Sequence, residues 1–231
     1  EASSFLFQKM STPDPAIVIG VPGRWKDRNE ILTAIATRSG GYLFVGMILM
    51  DVDTGRTLRL DVEEHDPSLA GFMRIEGMGQ IPDEDLAALE NHTFTLYLIS
   101  DQTGREVVSE MMNAALALLD SGGIAVKIDT AGLSVSAARW RELCETPTNH
   151  PCYRGMVVLV GEENDYFTCG MRAFSLPDCQ VLGSTLEEAF EVATEFNCYQ
   201  IDETPTLAEG HTFGVAEGAR RFRLSFESYP Y

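Results

Sequence analysis

The chain is short of positive charge. It carries 17 lysines and arginines against 35 aspartates and glutamates, a formal net charge of −18 over 231 residues. Such a surface repels phosphate backbones and anionic headgroups, so neither nucleic acid nor a membrane is expected as a partner. The densest basic run, Arg220-Arg221-Phe222-Arg223, lies beside a strand pattern and forms no patch. No apolar run approaches the roughly 20 residues of a membrane span. No leader-peptide pattern opens the sequence at Glu1, and the cytoplasm is the default expectation. Five cysteines, Cys144, Cys152, Cys169, Cys179 and Cys198, make an odd set without any C-x-x-C spacing, so no zinc knuckle or dithiol motif is supported. Free buried thiols in a reducing compartment are expected instead, with no metal and no cofactor. Also missing are G-x-G-x-x-G, a Gly-Lys-Ser/Thr phosphate loop and the G-x-S-x-G elbow of hydrolases.

What is present suits an ordinary folded protein: 45% hydrophobic residues and 23% charged ones. The length allows one domain, or two intimately packed halves meeting near residues 100–104. Ala16–Ile19 reads as a buried strand turned by Pro22-Gly23, and Asp27 with Glu30 reads as a helix cap. A helix to Gly40-Gly41, a strand over Tyr42–Met50, a turn at Asp53-Thr54-Gly55 and a strand at Leu58–Val62 follow. Leu69–Ile75 reads as strand or helix, and Glu84–Leu89 as a short helix. Thr93–Ile99 is a strand, and Val107 to Leu119 carries the strongest helical stripe, stopped by Gly122-Gly123. Ile124–Ile128 is a strand, and Ser134 or Ser136 opens a helix through Trp140 and Leu143 that ends before Pro147. Met156–Val160 and Tyr166–Met171 flank a hairpin loop. Ser184 and Glu187 cap a helix with Ala189, Phe190, Ala193 and Phe196 inward, and strands near Thr212–Val215 and at Phe222, Leu224 and Phe226 close the chain. This order mixes βα crossover units with hairpins, so the expected fold is α+β with a mixed sheet.

Several local patterns approach functional motifs and fall short. Gly20 to Lys26 sits between strand and helix like a phosphate loop but lacks the residues, so it reads as a structural turn. Asp120-Ser121-Gly122-Gly123 echoes a serine-nucleophile loop but stands at a helix C-terminus, where the glycines cap. Asp51 to Val62 begins like a calcium loop and ends on valine where a bidentate glutamate belongs. His150 and Cys152, two apart, would point the same way on an extended segment, yet Pro147 and Pro151 mark a loop and no third group stands near them in sequence. Trp25 and Trp140 read mainly as packing residues.

The broadest candidate is architectural. If the strands at Ile17, Phe94 and Ala125 run parallel, the loops Arg24–Asp27, Asp101–Arg105 and Asp129–Ser134 share one sheet edge. Ligands of open α/β sheets favour that edge, and helix N-termini there favour anions. Arg24, Trp25, Thr103, Arg105, Thr130 and Ser134 would line it. Ordinary caps and salt bridges are the competing account of the same residues.

Three elements together resemble one family: Pro22-Gly23-Arg24-Trp25, the strand Gly122-Gly123-Ile124-Ala125-Val126-Lys127 with Trp140 downstream, and Gly170-Met171-Arg172-Ala173-Phe174-Ser175-Leu176-Pro177-Asp178. The family is a bacterial one catalogued as a domain of unknown function, and the resemblance runs from about Ala16 to about Phe226. It implies an intracellular α+β protein and brings no catalytic residue with it. Two functions of different class follow as expectations. One is a non-catalytic acidic interaction protein taking a basic protein partner or forming a homo-oligomer. The alternative is an enzyme or small-anion binder at the βα loops.

Overall fold

The computed structural model describes residues 15–145 and 148–226. Its centre is a seven-stranded sheet in the order β2-β3-β4-β5-β1-β6-β7. The strands are β1 (Ile17–Gly23), β2 (Tyr42–Val45), β3 (Ile48–Asp51), β4 (Thr57–Glu64), β5 (Phe94–Ser100), β6 (Ala125–Ile128) and β7 (Leu133–Ser136). The fold is α+β, as expected, but among the described residues every pairing is antiparallel, where a mixed sheet was expected. The two strands flanking β1 both run against it.

Alternation sorts each strand between two faces. Ile17, Ile19 and Val21 of β1, Leu60 of β4, Leu96 and Leu98 of β5, and Val126 and Ile128 of β6 enter the main core. Helices α1 (Arg28–Arg38), α4 (Arg105–Asp120), α5 (Ala137–Glu145) and α6 (Asn149–Met156) supply many of its other residues, with Ile31, Ile35, Met111, Leu118 and Trp140 prominent. The opposite face is covered only toward β6 and β7. There α2 (Leu69–Glu76) and α3 (Asp83–Leu89) pack Leu69, Met73, Leu86 and Leu89 with Ala125 in a second cluster.

The remaining chain forms a three-stranded antiparallel sheet, β8 (Val158–Glu162), β9 (Asp165–Cys169) and β10 (Gln180–Leu182), under α7 (Leu186–Glu203). Val181, Ala189, Val192 and Ala193 make its core. A short pair, β11 (Thr212–Phe213) and β12 (Phe222–Arg223), lays Phe213 edge-on against Phe196 with ring centroids 5.1 Å apart. Val158, Met171, Cys198 and Ile201 belong to the main core, so this sheet and helix are tied to the larger one.

Several local expectations shift, each for a physical reason. Pro22-Gly23 does not turn the chain: β1 continues to Gly23, and the Trp25 ring lies where a Cβ on Gly23 would sit. That glycine serves close approach rather than a bend. Tyr42–Met50 is two strands, because Gly46 at φ +64° occupies the first position of a two-residue turn. Leu69–Ile75 resolves as helix. Asp129–Ser134 does not start a helix but turns β6 into β7 through Gly132 at φ +65°, and the Ser136 hydroxyl takes the Arg139 N–H at the start of α5. The α7 cap is Thr185, accepting from the Glu188 N–H, one residue past the expected Ser184 and Glu187. His150 and Cys152 are helical, with Pro151 tolerated in the first turn. Pro147 lies outside the described residues.

Candidate interaction surface

The six candidate residues do not converge. The antiparallel register pairs Gly23 with Phe94 and Ile17 with Ser100, so the end of β1 and the end of β5 lie at opposite ends of the sheet. Seven residues of strand, about 20 Å, separate them. Arg24 and Trp25 therefore stand apart from Thr103, Arg105 and Thr130. Arg24 spends its guanidinium on the C-terminal carbonyls of α3, donating to Ala88 O at 3.1 and 3.3 Å, a favourable place for a cation. Trp25 is 3% exposed, and its Nε1–H donates to the buried Ser121 O at 2.9 Å. Ser134 is buried beneath α2, where its hydroxyl donates to Glu76 Oε2 at 2.7 Å.

Thr103, Arg105 and Thr130 do share an edge, but the chain itself closes much of it. A short 3-10 turn, Met171–Phe174, lies against the start of α4, and its Ala173 carbonyl accepts the Gly104 N–H at 2.8 Å. The Thr103 hydroxyl meets that of Ser175. Asp178 Oδ1 holds the turn by accepting from the Thr168 hydroxyl at 3.0 Å and the Met171 N–H at 3.1 Å. The Gly170–Asp178 motif is thus a structural plug at the base of α4. Thr130 borders a groove of about 360 Å³ beside it, with Gly170, Arg172 and Asp178.

Two further polar clusters are structural as well. Lys127 reaches Glu76 at 3.5 Å and also pairs with Asp129, which ties the end of α2 to β6. At the other end of the sheet His65 and His92 lie with ring centroids 4.5 Å apart beside an open groove. His92 is 2% exposed: its Nδ1 faces Leu89 O at 2.7 Å, and its Nε2 accepts the Asp66 N–H at 3.2 Å. Both contacts require a neutral ring protonated on Nδ1. Burial pushes its pKa down. All five cysteines are free, and burial pushes every thiol up, Cys144 to about 11 and Cys198 to about 12. That disfavours the thiolate and with it nucleophilic or ligating roles. His150 is exposed near Glu195 and does not share a face with buried Cys152. Among the described residues no three His, Cys, Asp or Glu side chains gather as a metal site, and no helix is long and apolar enough to cross a membrane.

The surface with a coherent chemistry is the outward stripe of α7. Glu187, Glu191, Glu195 and Tyr199 follow one another at four-residue spacing and are all exposed, which stacks them down one side of the helix. Phe190 stands beside them at 47% exposure. This corrects the inward placement of Phe190: the buried residues include Ala189, Val192, Ala193 and Phe196 but not Phe190, and position 190 lies about 100° around from Ala189. Asp202 and Glu203 add negative charge in the last turn, where the helix dipole disfavours it. The Arg154 guanidinium, from α6, sits 5.9 Å from the Phe190 ring centroid. The four-residue recurrence of glutamate was visible in the sequence. Assigning Phe190 to the core hid the stripe it belongs to.

No curated protein and no solved structure matches the chain. Residues 167–225 match a family described as "Domain of unknown function (DUF4261)". The match runs from within β9 through β12, including the Gly170–Asp178 element and the whole of α7, and supports the resemblance to an uncharacterised domain family over that part of the chain.

Proposed function

We propose that the protein acts by binding a basic protein partner rather than by catalysis, and that the outward stripe of α7 is the surface it offers. The observation that carries this reading is the interleaving of Glu187, Glu191 and Glu195 with the exposed rings of Phe190 and Tyr199. Carboxylates attract lysine and arginine, and aromatic faces take their cations and alkyl stems. The Arg154–Phe190 contact is an internal instance of that recognition. The net charge of −18 would speed encounter with a cationic partner from every direction, while the stripe sets where it docks. The rival reading, an enzyme or small-anion binder, drew on three βα loops at one edge, and the antiparallel register sets the Arg24 loop at the opposite end from the other two.

The test is affinity capture from cell extract at low salt with three baits. They are the wild-type protein, a Glu187→Lys/Glu191→Lys/Glu195→Lys variant, and a control reversing Asp83, Glu84 and Glu90 to lysine near α3. The expected result is a basic protein held by wild type and control, lost from the α7 variant and released by high salt. Equal capture by all three baits, or no capture by wild type, refutes the proposal.

A further inference from the structure

In a chain with 52 charged side chains among 231, the stretch from Ser39 to Met50 has none. It forms the β2–β3 hairpin at one end of the large sheet. Its inward residues behave as a core should: Phe44 is 5% exposed and Leu49 1%. The outward ones are equally apolar but uncovered, with Val45 at 67% and Ile48 at 48%. The register sets Leu43 beside Met50 and Val45 beside Ile48, so the four make one continuous block. Strands that read as unbroken apolar runs are characteristically buried on both faces. Here α2 and α3 cover the outward face only toward the far end, over β6 and β7.

We propose that a second copy of the chain covers this block, hairpin face against hairpin face, in a symmetric dimer. Charge selects that occupant. A basic partner finds no carboxylate on the block, and the adjoining position on β4 is Arg59, already paired with Asp61. Two copies of a −18 chain meeting elsewhere would set acid against acid, whereas here neutral surface meets identical neutral surface, as a twofold interface requires. The contact is face to face rather than by strand addition. The free edge of β2 is largely closed, since the Ser39 hydroxyl bonds both the N–H and C=O of Tyr42, at 2.9 and 3.1 Å, and Arg28 donates to Gly46 O.

Analytical ultracentrifugation of the full chain, across a wide concentration range at low and high salt, tests the proposal. The expected result is a dimer that strengthens with salt, because salt screens the repulsion between the two copies. Val45→Lys and Ile48→Lys alter exposed side chains and are expected to keep the circular dichroism spectrum while weakening dimerisation on the order of a hundredfold each. A wild type that stays monomeric throughout, or a dimer that persists in both variants, overturns the proposal. Hydrogen exchange at the Leu43–Met50 segment gives a reading without mutation: protection rises with concentration if the hairpins meet and stays flat if they do not. Basic-partner binding at α7 has the opposite salt dependence, so either proposal can fail while the other stands.

Discussion

Trp25 offers the sharpest test of the structure, because it was expected mainly as a packing residue but also among those lining a ligand edge, and the fold makes it a core residue. Its indole is 3% exposed, lies against Gly23 and Gly122, and donates to a carbonyl whose residue, Ser121, is 0% exposed. Trp25→Phe keeps an aromatic ring but removes the donor, leaving the Ser121 carbonyl buried without it. An unmet buried acceptor costs about 1–3 kcal/mol, and the smaller ring adds a packing loss, so a total of about 2–3 kcal/mol is expected. Trp25→Ala should cost about 3–5 kcal/mol. Urea denaturation measures both, and Trp140 remains as the fluorophore in each variant. With a urea slope of about 2–3 kcal/mol per molar, Trp25→Phe should lower the midpoint by roughly 1 M. Arg24→Ala is the control. It removes only an exposed cation from the end of α3 and should cost about 0.5–1 kcal/mol. A Trp25→Phe midpoint within about 0.2 M of wild type, or a loss no larger than that of Arg24→Ala, would refute the structural role assigned to the indole.

Two further outcomes follow from the buried titratable groups. The fold holds His92 neutral with a pKa below its ordinary 6.5, so its contribution to stability is full above that value and is lost as pH falls below it. The urea midpoint should decline from pH 7 toward pH 5, and His92→Gln should flatten that slope; an equally steep decline in the variant counts against the argument. For the cysteines, a thiol at about 11 ionises on the order of a hundredfold less at pH 8 than an unperturbed one. Native protein should resist alkylation at Cys144 and Cys198 and label fully once unfolded, and rapid native labelling at either would show that the thiol is not buried as described.

Much of the local structure was legible because its signals act within a few residues. Asp27 caps α1 by accepting the Glu30 N–H, Gly122 at φ +115° ends α4, and the Asp53-Thr54-Gly55 turn joins β3 to β4, each where local chemistry placed it. Phe190 went the other way, because one helix turn offers two registers for an apolar stripe and only packing against β10 chooses between them. The Gly170–Asp178 element was recognisable as a motif, yet its role as a plug on Gly104 depends on a partner some 70 residues away, which periodicity does not encode.

By itself the sequence determined the acidity, the α+β character, the Asp27 cap of α1 and turns such as Asp53-Thr54-Gly55, since composition and short-range hydrogen bonding specify them. Only the tertiary structure decided the direction of the strands. An isolated β-strand pattern reads the same whether its neighbour runs parallel or antiparallel, and the choice rests on long-range pairing such as Gly23 with Phe94. That choice separated Arg24 and Trp25 from Thr103 and Thr130, and the exposed stripe of α7 and the uncovered face of the β2–β3 hairpin, on which the two proposals rest, likewise came from packing.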